Sequence, residues 1–197
     1  MSDPETLKVY AEKAQEYADL TDEDNHDDPL LDAFIADVRQ GGRVLDLGCG
    51  PGASAARMAQ KGLRVDAFDP VPEMVQLAGR HAGVDAKEAG FEDVSGADLY
   101  DGIWANFSLL HASKDDLPAH LARIAAALKP GGIFHIAVKS GTGTARDSLG
   151  RRYTYYSDQE LTALLTDAGM TVFDKQTGEG KGLAGDTSSW IAMRARA

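Results

Sequence analysis

The sequence predicts an α/β fold: a three-layer sandwich with a mostly parallel, seven-stranded sheet, helices on both faces and the last strand antiparallel. Three observations lead there. From residue 43 onward strand-like runs alternate with helix-like ones, which generates parallel strands covered on both sides. Three glycines, Gly48, Gly50 and Gly52, stand between the first of these strands and its helix, where a backbone must turn tightly. The last two strand patterns have no helix between them, so that pair must be antiparallel.

The elements follow in order. Asp3-Pro4 is an N-cap with proline at the first helical position, and Leu7, Tyr10, Ala11, Ala14, Tyr17 and Ala18 form one helical stripe behind it. The acidic run 22–28 is expected to interrupt that stripe as a solvated loop ending in a helix cap. Leu30, Leu31, Phe34, Ile35 and Val38 make a second stripe, closed by Gly41-Gly42. Residues 1–40 are thus expected as a helical cap on a core of 41–197, within a single domain. In the core, strands are expected at 43–47, 64–68, 84–89, 101–106, 133–138, 170–173 and 188–195, and helices at 53–60, 72–80, 115–128 and 157–168. Lys129-Pro-Gly-Gly132 reads as a stop and turn, and Gly178, Gly180, Gly182 and Gly185 as the connection between the last two strands.

Composition narrows the function. A chain of 197 residues, 43% hydrophobic and 26% charged, has the make-up of an ordinary globular protein with a buried core. A formal charge of −11 argues against nucleic-acid phosphates or an anionic membrane as partner. One cysteine, Cys49, excludes an internal disulfide and a cysteine-based zinc site. The histidines lack metal-ligand spacing, so no metal is expected. The start carries no signal-peptide pattern, and no apolar run is long enough to span a bilayer. The expectation is a cytoplasmic protein, monomer or homodimer, acting on a small molecule.

The densest signal is Val44-Leu-Asp-Leu-Gly-Cys-Gly-Pro-Gly-Ala-Ser54. Its glycines alone also match a dinucleotide-binding turn. Asp46 and Pro51 discriminate. A pyrophosphate about 5 Å from Asp46 would be repelled by roughly 3 kcal/mol per unit charge at an effective dielectric near 20. Pro51 removes an N–H where a phosphate would want a donor. The loop prefers a cation. Asp69 ends the second strand, where an acidic residue accepts from ribose hydroxyls; the alternative is a cap on the helix after Pro70.

Taken together, four segments resemble the class I methyltransferases that use S-adenosylmethionine (SAM), a family with a Rossmann-like sheet. Residues 44–54 look like its motif I, Asp69-Pro-Val-Pro-Glu-Met74 like motif II, and Tyr100-Asp-Gly-Ile-Trp-Ala-Asn106 like motif IV. Leu128-Lys-Pro-Gly-Gly-Ile-Phe134 is similar to the segment entering the fifth strand, and the likeness covers roughly residues 40–175. The resemblance implies SAM as cofactor, with Asp46, Gly48 and Gly50 at its methionine part and Asp69 on the ribose. It further implies Pro70 and Met74 against adenine, Phe91 and Glu92 flanking the adenine edge, and Asn106 at the methyl-transfer site. Gly90-Phe91-Glu92 departs from the family's usual acidic residue followed by a small one.

A sulfonium methyl needs in-line positioning, and a base when the acceptor carries a proton. Among the five histidines His111 is the candidate base, since imidazole titrates near neutral pH; a hydrogen bond to the next helix is the competing role. The N-terminal stripe is either packing or a lid that brings Tyr10 to the substrate and the Tyr17 phenol to the sulfonium. Trp104 reads as core. The basic, tyrosine-rich stretch 139–156 suggests a clamp in which Arg151, Arg152 and Tyr155 hold an anionic or aromatic acceptor, against a solvated loop. The resulting expectation is methyl transfer from SAM to a small molecule. The alternative is a catalytically silent SAM-binding sensor or scaffold. A nicotinamide-dependent oxidoreductase would leave Asp46 and Pro51 unexplained.

Overall fold

A computed structural model of the chain describes residues 3–24 and 28–197. Helices α1 (Pro4–Glu12), α2 (Ala14–Asp24) and α3 (Pro29–Asp37) come first. The Asp3 side chain accepts from Thr6 N at the start of α1. The expected single stripe is split at Lys13, which still donates to Val9 O and accepts from Tyr17 N. The interruption expected at residue 22 does not occur, because α2 runs to Asp24. Aspartate is a poor helix former by only about 0.7 kcal/mol per residue, and nothing stronger breaks the helix there. Residues 25–27, including His26, lie outside the described residues. The end of the acidic run does cap α3: Asp28 Oδ1 accepts from Leu30 N and Leu31 N.

The core alternates β1 (Arg43–Leu47), α4 (Ala53–Gln60), β2 (Arg64–Asp69), α5 (Pro72–Ala78), β3 (Val84–Glu88), β4 (Tyr100–Asn106), α6 (Leu117–Ala127) and β5 (Leu128–Lys139). A separate antiparallel ribbon, β6 (Thr144–Arg146) and β7 (Arg152–Thr154), lies where the sequence reads as loop. Helix α7 (Asp158–Asp167), β8 (Thr171–Lys181) and β9 (Thr187–Arg196) complete the chain.

The main sheet has seven strands in the order β3-β2-β1-β4-β5-β9-β8. Strands β1 to β5 are parallel, and β9 runs antiparallel to both β5 and β8. The last strand is therefore antiparallel, as the missing crossover helix requires. Alternation along the strands sorts side chains to two faces. Val44, Trp104 and Ile133 join Leu31, Phe34 and Met58 on the side of α3 and α4. Leu45, Ile103, Phe134 and Ile136 join Leu121, Ile124, Leu161 and Leu165 on the side of α6 and α7. Helix α3 thus belongs to the sheet's covering layer. Helices α1 and α2 sit over α5 instead, through Leu7, Tyr10, Ala14 and Tyr17 against Val71 and Met74.

Two glycine-rich segments fold differently from expectation. Lys129-Pro-Gly-Gly132 interrupts the ladder inside β5: Leu128 pairs with Tyr100, and the next pairing is Ile133 with Gly102. Gly178 and Gly180 lie within β8. The Trp190 ring from β9 lies so close that a Cβ on Gly178 would stand 2.3 Å from Trp190 Cζ2, so glycine here marks close approach within a long hairpin. Among the described residues no helix is long and apolar enough to cross a membrane.

Candidate active site

The chain order reverses between β1 and β4, and the crevice beyond their carboxyl ends is where open α/β sheets bind ligands. The glycine loop forms its floor. Gly48, Gly50 and Gly52 hold φ values of 77°, 53° and 89°. Gly48 N and Cys49 N donate to Phe68 O at 2.8 and 2.9 Å, tying the loop to β2. A Cβ on Gly48 would lie 2.3 Å from Ser108 Cβ, so both the conformation and the space demand glycine. Asp69 reinforces this: Oδ2 accepts from Gly50 N and Oδ1 from Val71 N, each at 2.9 Å. One carboxylate braces the loop and starts the turn into α5.

Asp46 is buried, and its Oδ2 has no hydrogen-bond partner among the described residues. Burial pushes its carboxyl up to about 7, with the Asp69 charge adding to the effect and the Ala55 N–H opposing it. Burial likewise raises Asp69 to about 6, against the Val71 and Gly50 N–H groups. An orphaned, desolvated carboxylate beside a second one is a site waiting for a cation.

Two adjoining cavities open above this floor, of about 330 and 70 Å³. Tyr10, Tyr17, Gly48, Gly50, Asn106 and Phe107 line both. Asp69, Pro70, Met74, Phe91 and His111 line only the smaller; Asp46 and Arg151 line only the larger. The structure therefore brings together most of the residues expected from the sequence. Three are corrected. Glu92 is exposed and lines neither cavity, because the single 3₁₀ turn Phe91–Asp93 turns Phe91 inward and Glu92 out. Arg152 also lines neither, and only its main chain serves the site: its N–H donates to Thr6 Oγ1 and its carbonyl accepts from His111. Tyr155 lies one residue beyond β7, half-buried against the core cluster and over Gly141, and lines neither cavity, whereas Tyr153 within β7 lines the larger one.

Arg151 is almost fully buried and committed. Its Nε and Nη2 donate to Asp147 Oδ2 at 2.9 and 2.7 Å, and its Nη1 donates to Tyr10 Oη at 3.0 Å. His111 Nδ1 lies 2.7 Å from the Arg152 carbonyl and must donate to it, which leaves Nε2 as acceptor for the Tyr10 hydroxyl at 3.0 Å. The chain of bonds is directed from Asp147-paired Arg151 through Tyr10 to His111. Burial lowers His111 to about 4, so it is neutral at physiological pH. Both its nitrogens are engaged, which fits the hydrogen-bonding role better than that of a free base. The same ribbon anchors the cap: Arg146 Nη1 and Nη2 donate to Asp3 Oδ2 and Oδ1, both at 2.9 Å.

Sequence reading passed over several lining residues. Trp104 is core yet also lines the larger cavity, stacked on His135 with centroids 3.7 Å apart. His135 Nε2 donates to Asn106 Oδ1 at 3.1 Å and so sets the amide's orientation; burial lowers this imidazole to about 3 and keeps it neutral. Alternation along β5 was the one sequence signal for it, placing His135 on the Trp104 face. Lys139 and Tyr153 belong to the basic, tyrosine-rich stretch 139–156, where the sequence singles out Arg151, Arg152 and Tyr155 instead, and Trp190 joins them only through tertiary contacts.

A family described as a methyltransferase domain matches residues 44–132. The structure of 1,6-didemethyltoxoflavin-N1-methyltransferase from Burkholderia thailandensis, with bound 1,6-didemethyltoxoflavin and S-adenosylhomocysteine, is similar at a TM-score of 0.73 and 29% identity, covering 100% of this chain and 91% of that one. Sequence and structure are thus similar to the class I SAM-dependent methyltransferases, with a methyltransferase domain over residues 44–132. Among curated members of that class, ubiquinone biosynthesis O-methyltransferase of Methylocella silvestris is 29% identical over 165 residues, 73% of this chain and 64% of the relative. Cypemycin N-terminal methyltransferase of a Streptomyces species is 35% identical over 139 residues, 67% and 56% of the two chains. The chain thus spans less than two thirds of the length of these curated methyltransferases. SAM, the cofactor of the class, fits the residues present. Asp46 Oδ2 lacks a donor, Pro51 offers no N–H, and among the described residues no lysine or arginine lines the smaller cavity. That chemistry suits a sulfonium and an ammonium and disfavours a pyrophosphate.

Proposed function

We propose that the chain methylates a small molecule seated in the larger cavity, with SAM held across the glycine loop into the smaller one. The junction of the two cavities at Gly48, Gly50, Asn106 and Phe107 carries this reading, because it gives donor and acceptor adjoining compartments. Asp46 would meet the cofactor's positive charge, Asp69 the ribose, and Met74 with Phe91 the adenine. When bound, the cofactor supplies a sulfonium methyl: the acceptor's lone pair forms the new bond as the carbon–sulfur bond breaks, its electrons go to sulfur, and neutral S-adenosylhomocysteine remains. The protein's part is to orient and to exclude water. His135 fixes Asn106, while Arg151 and His111 hold Tyr10 over both compartments. Phe107 sits at the junction with φ 53°, a left-handed backbone uncommon for a non-glycine residue, held by its N–H bond to Ala137 O.

The reading extends to a small-molecule partner and a cytoplasmic setting, with the net charge of −11 speaking against nucleic acid. The second reading, a silent SAM-binding protein, is favoured by one observation: both His111 nitrogens are occupied, so His111 is no free base. Thermal unfolding with SAM, S-adenosylhomocysteine and NAD, followed by a metabolite screen for S-adenosylhomocysteine release, separates these outcomes. The expected result is stabilisation by the first two ligands only, by mass action, and turnover with an acceptor. No shift at millimolar SAM overturns the cofactor assignment. A shift without turnover across the screen favours the silent protein.

A further inference from the structure

We propose that the acceptor is a flat aromatic or heteroaromatic molecule carrying an ionised acidic group, and that Lys139 is the residue that recognises this charge. The inference rests on the reading of the larger cavity as the acceptor site. Its walls are aromatic: Tyr17, Phe107, Tyr153 and Trp190 face it, with Trp104 behind, and Phe107 and Trp190 meet edge to face at 6.3 Å between centroids. Such walls take a planar ring.

The other charges of the cavity are paired or, for Asp46, assigned to the cofactor, and its lysines have no carboxylate partner among the described residues. Arg151 is paired with Asp147. Asp28 accepts from the first turn of α3, and Asp46, on the floor of the cavity with Gly48 and Gly50, is the group that the proposed function gives to the cofactor's positive charge. Lys139, at the carboxyl end of β5 and opposite Trp190 in the β5–β9 register, has no carboxylate within ion-pair reach among the described residues. Its Nζ lies 4.1 Å from the centroid of the Tyr153 ring. Lys181 lines the same cavity at its exposed mouth. A half-buried ammonium in an aromatic slot gains most from an anion held between the rings. Burial, with the Arg151 charge adding, lowers Lys139 from the ordinary lysine value while Asp147 and Asp186 oppose this; a bound anion would favour its charged form.

The same arrangement answers how the acceptor becomes a nucleophile without a free base. With His111 engaged at both nitrogens, an acceptor that loses its own proton to solvent needs only a cation to hold the resulting anion. Lys139 provides it, and favours acidic phenols or ring N–H groups over neutral amines and alcohols.

The test uses 4-nitrophenol as a chromogenic planar acid, and 4-nitroanisole as its neutral partner, with the full chain saturated by S-adenosylhomocysteine. Binding of S-adenosylhomocysteine is measured first, so failure of the cofactor reading is seen separately. The expected result is binding of the phenolate at least about tenfold tighter than the phenol, read as a bound pKa lowered by about one unit. Lys139→Met should abolish that shift and weaken phenolate binding about tenfold or more, Lys139→Arg should retain it, and both should bind S-adenosylhomocysteine like the wild type. Equal affinity for the two probes, no binding of either, or an undiminished phenolate preference in Lys139→Met overturns the proposal.

Discussion

Replacing Asp46 by asparagine should move stability and cofactor affinity in opposite directions. The carboxyl, ordinarily near 3.8, is raised by burial to about 7. A group raised on folding stabilises the native state fully below its unfolded value, and that contribution is lost as pH climbs through the folded one. Three units at about 1.36 kcal/mol each give a penalty of about 4 kcal/mol on the ligand-free protein at pH 8. Asparagine, nearly isosteric and neutral, removes the ionisation penalty. Ligand-free Asp46→Asn should therefore melt higher than wild type at pH 8, by roughly 8–16 °C at about 2–4 °C per kcal/mol, with the gap closing toward pH 4. The same change removes a charge-assisted bond to a cationic cofactor, worth about 1.5–3 kcal/mol, so the SAM dissociation constant should rise about 10- to 100-fold. Wild-type affinity should itself weaken as pH falls through about 7, and binding there should release a proton. Scanning fluorimetry between pH 4 and 8, with calorimetry in buffers of different ionisation enthalpy, reads all of this. A variant less stable than wild type at pH 8, or one binding SAM normally, refutes the reasoning.

Three further outcomes follow from the geometry. Arg151→Ala leaves Asp147 buried without its cation and should lower stability by about 3 kcal/mol in denaturant titration, whereas Arg152→Ala, whose side chain has no hydrogen bond at Nε, should stay within about 0.5 kcal/mol. Gly178→Ala pushes a methyl into the Trp190 ring; it should cost about 1–3 kcal/mol and impair 4-nitrophenol binding while leaving S-adenosylhomocysteine affinity near wild type by calorimetry. Gly48→Ala meets both a left-handed φ and Ser108, so its product should fold poorly or, where folded, give no thermal shift with SAM.

Local chemistry was legible in the sequence. Strand–helix alternation announced β1 to β5, and Asp46, the glycines and Asp69 announced the floor of the cavities, because each signal is written within a few residues. What stayed hidden depends on register or on small rotations. Lys139 and Trp190 face each other only because β9 inserts beside β5. Phe91 and Glu92 are neighbours in sequence, and one 3₁₀ turn sends them to opposite environments. The clamp was read from charge, yet Asp147 four residues before Arg151 neutralises it inside the fold, and the ribbon β6–β7 has too few alternating apolar residues to declare itself.

The division of labour between the chain's two ends has an evolutionary consequence. The family match stops at residue 132, and the glycine loop and Asp69 lie within it, whereas Lys139, Arg151, Tyr153 and Trp190 all come from the segment beyond. The β8–β9 hairpin can lengthen, shorten or exchange its aromatic residues without disturbing a bond that Asp69 makes to Gly50 or Val71. On the proposed division into donor and acceptor compartments, descendants of one ancestral donor site can acquire new acceptors largely by drift in the C-terminal third. Paralogues with matching glycine loops should differ chiefly in what their hairpins present.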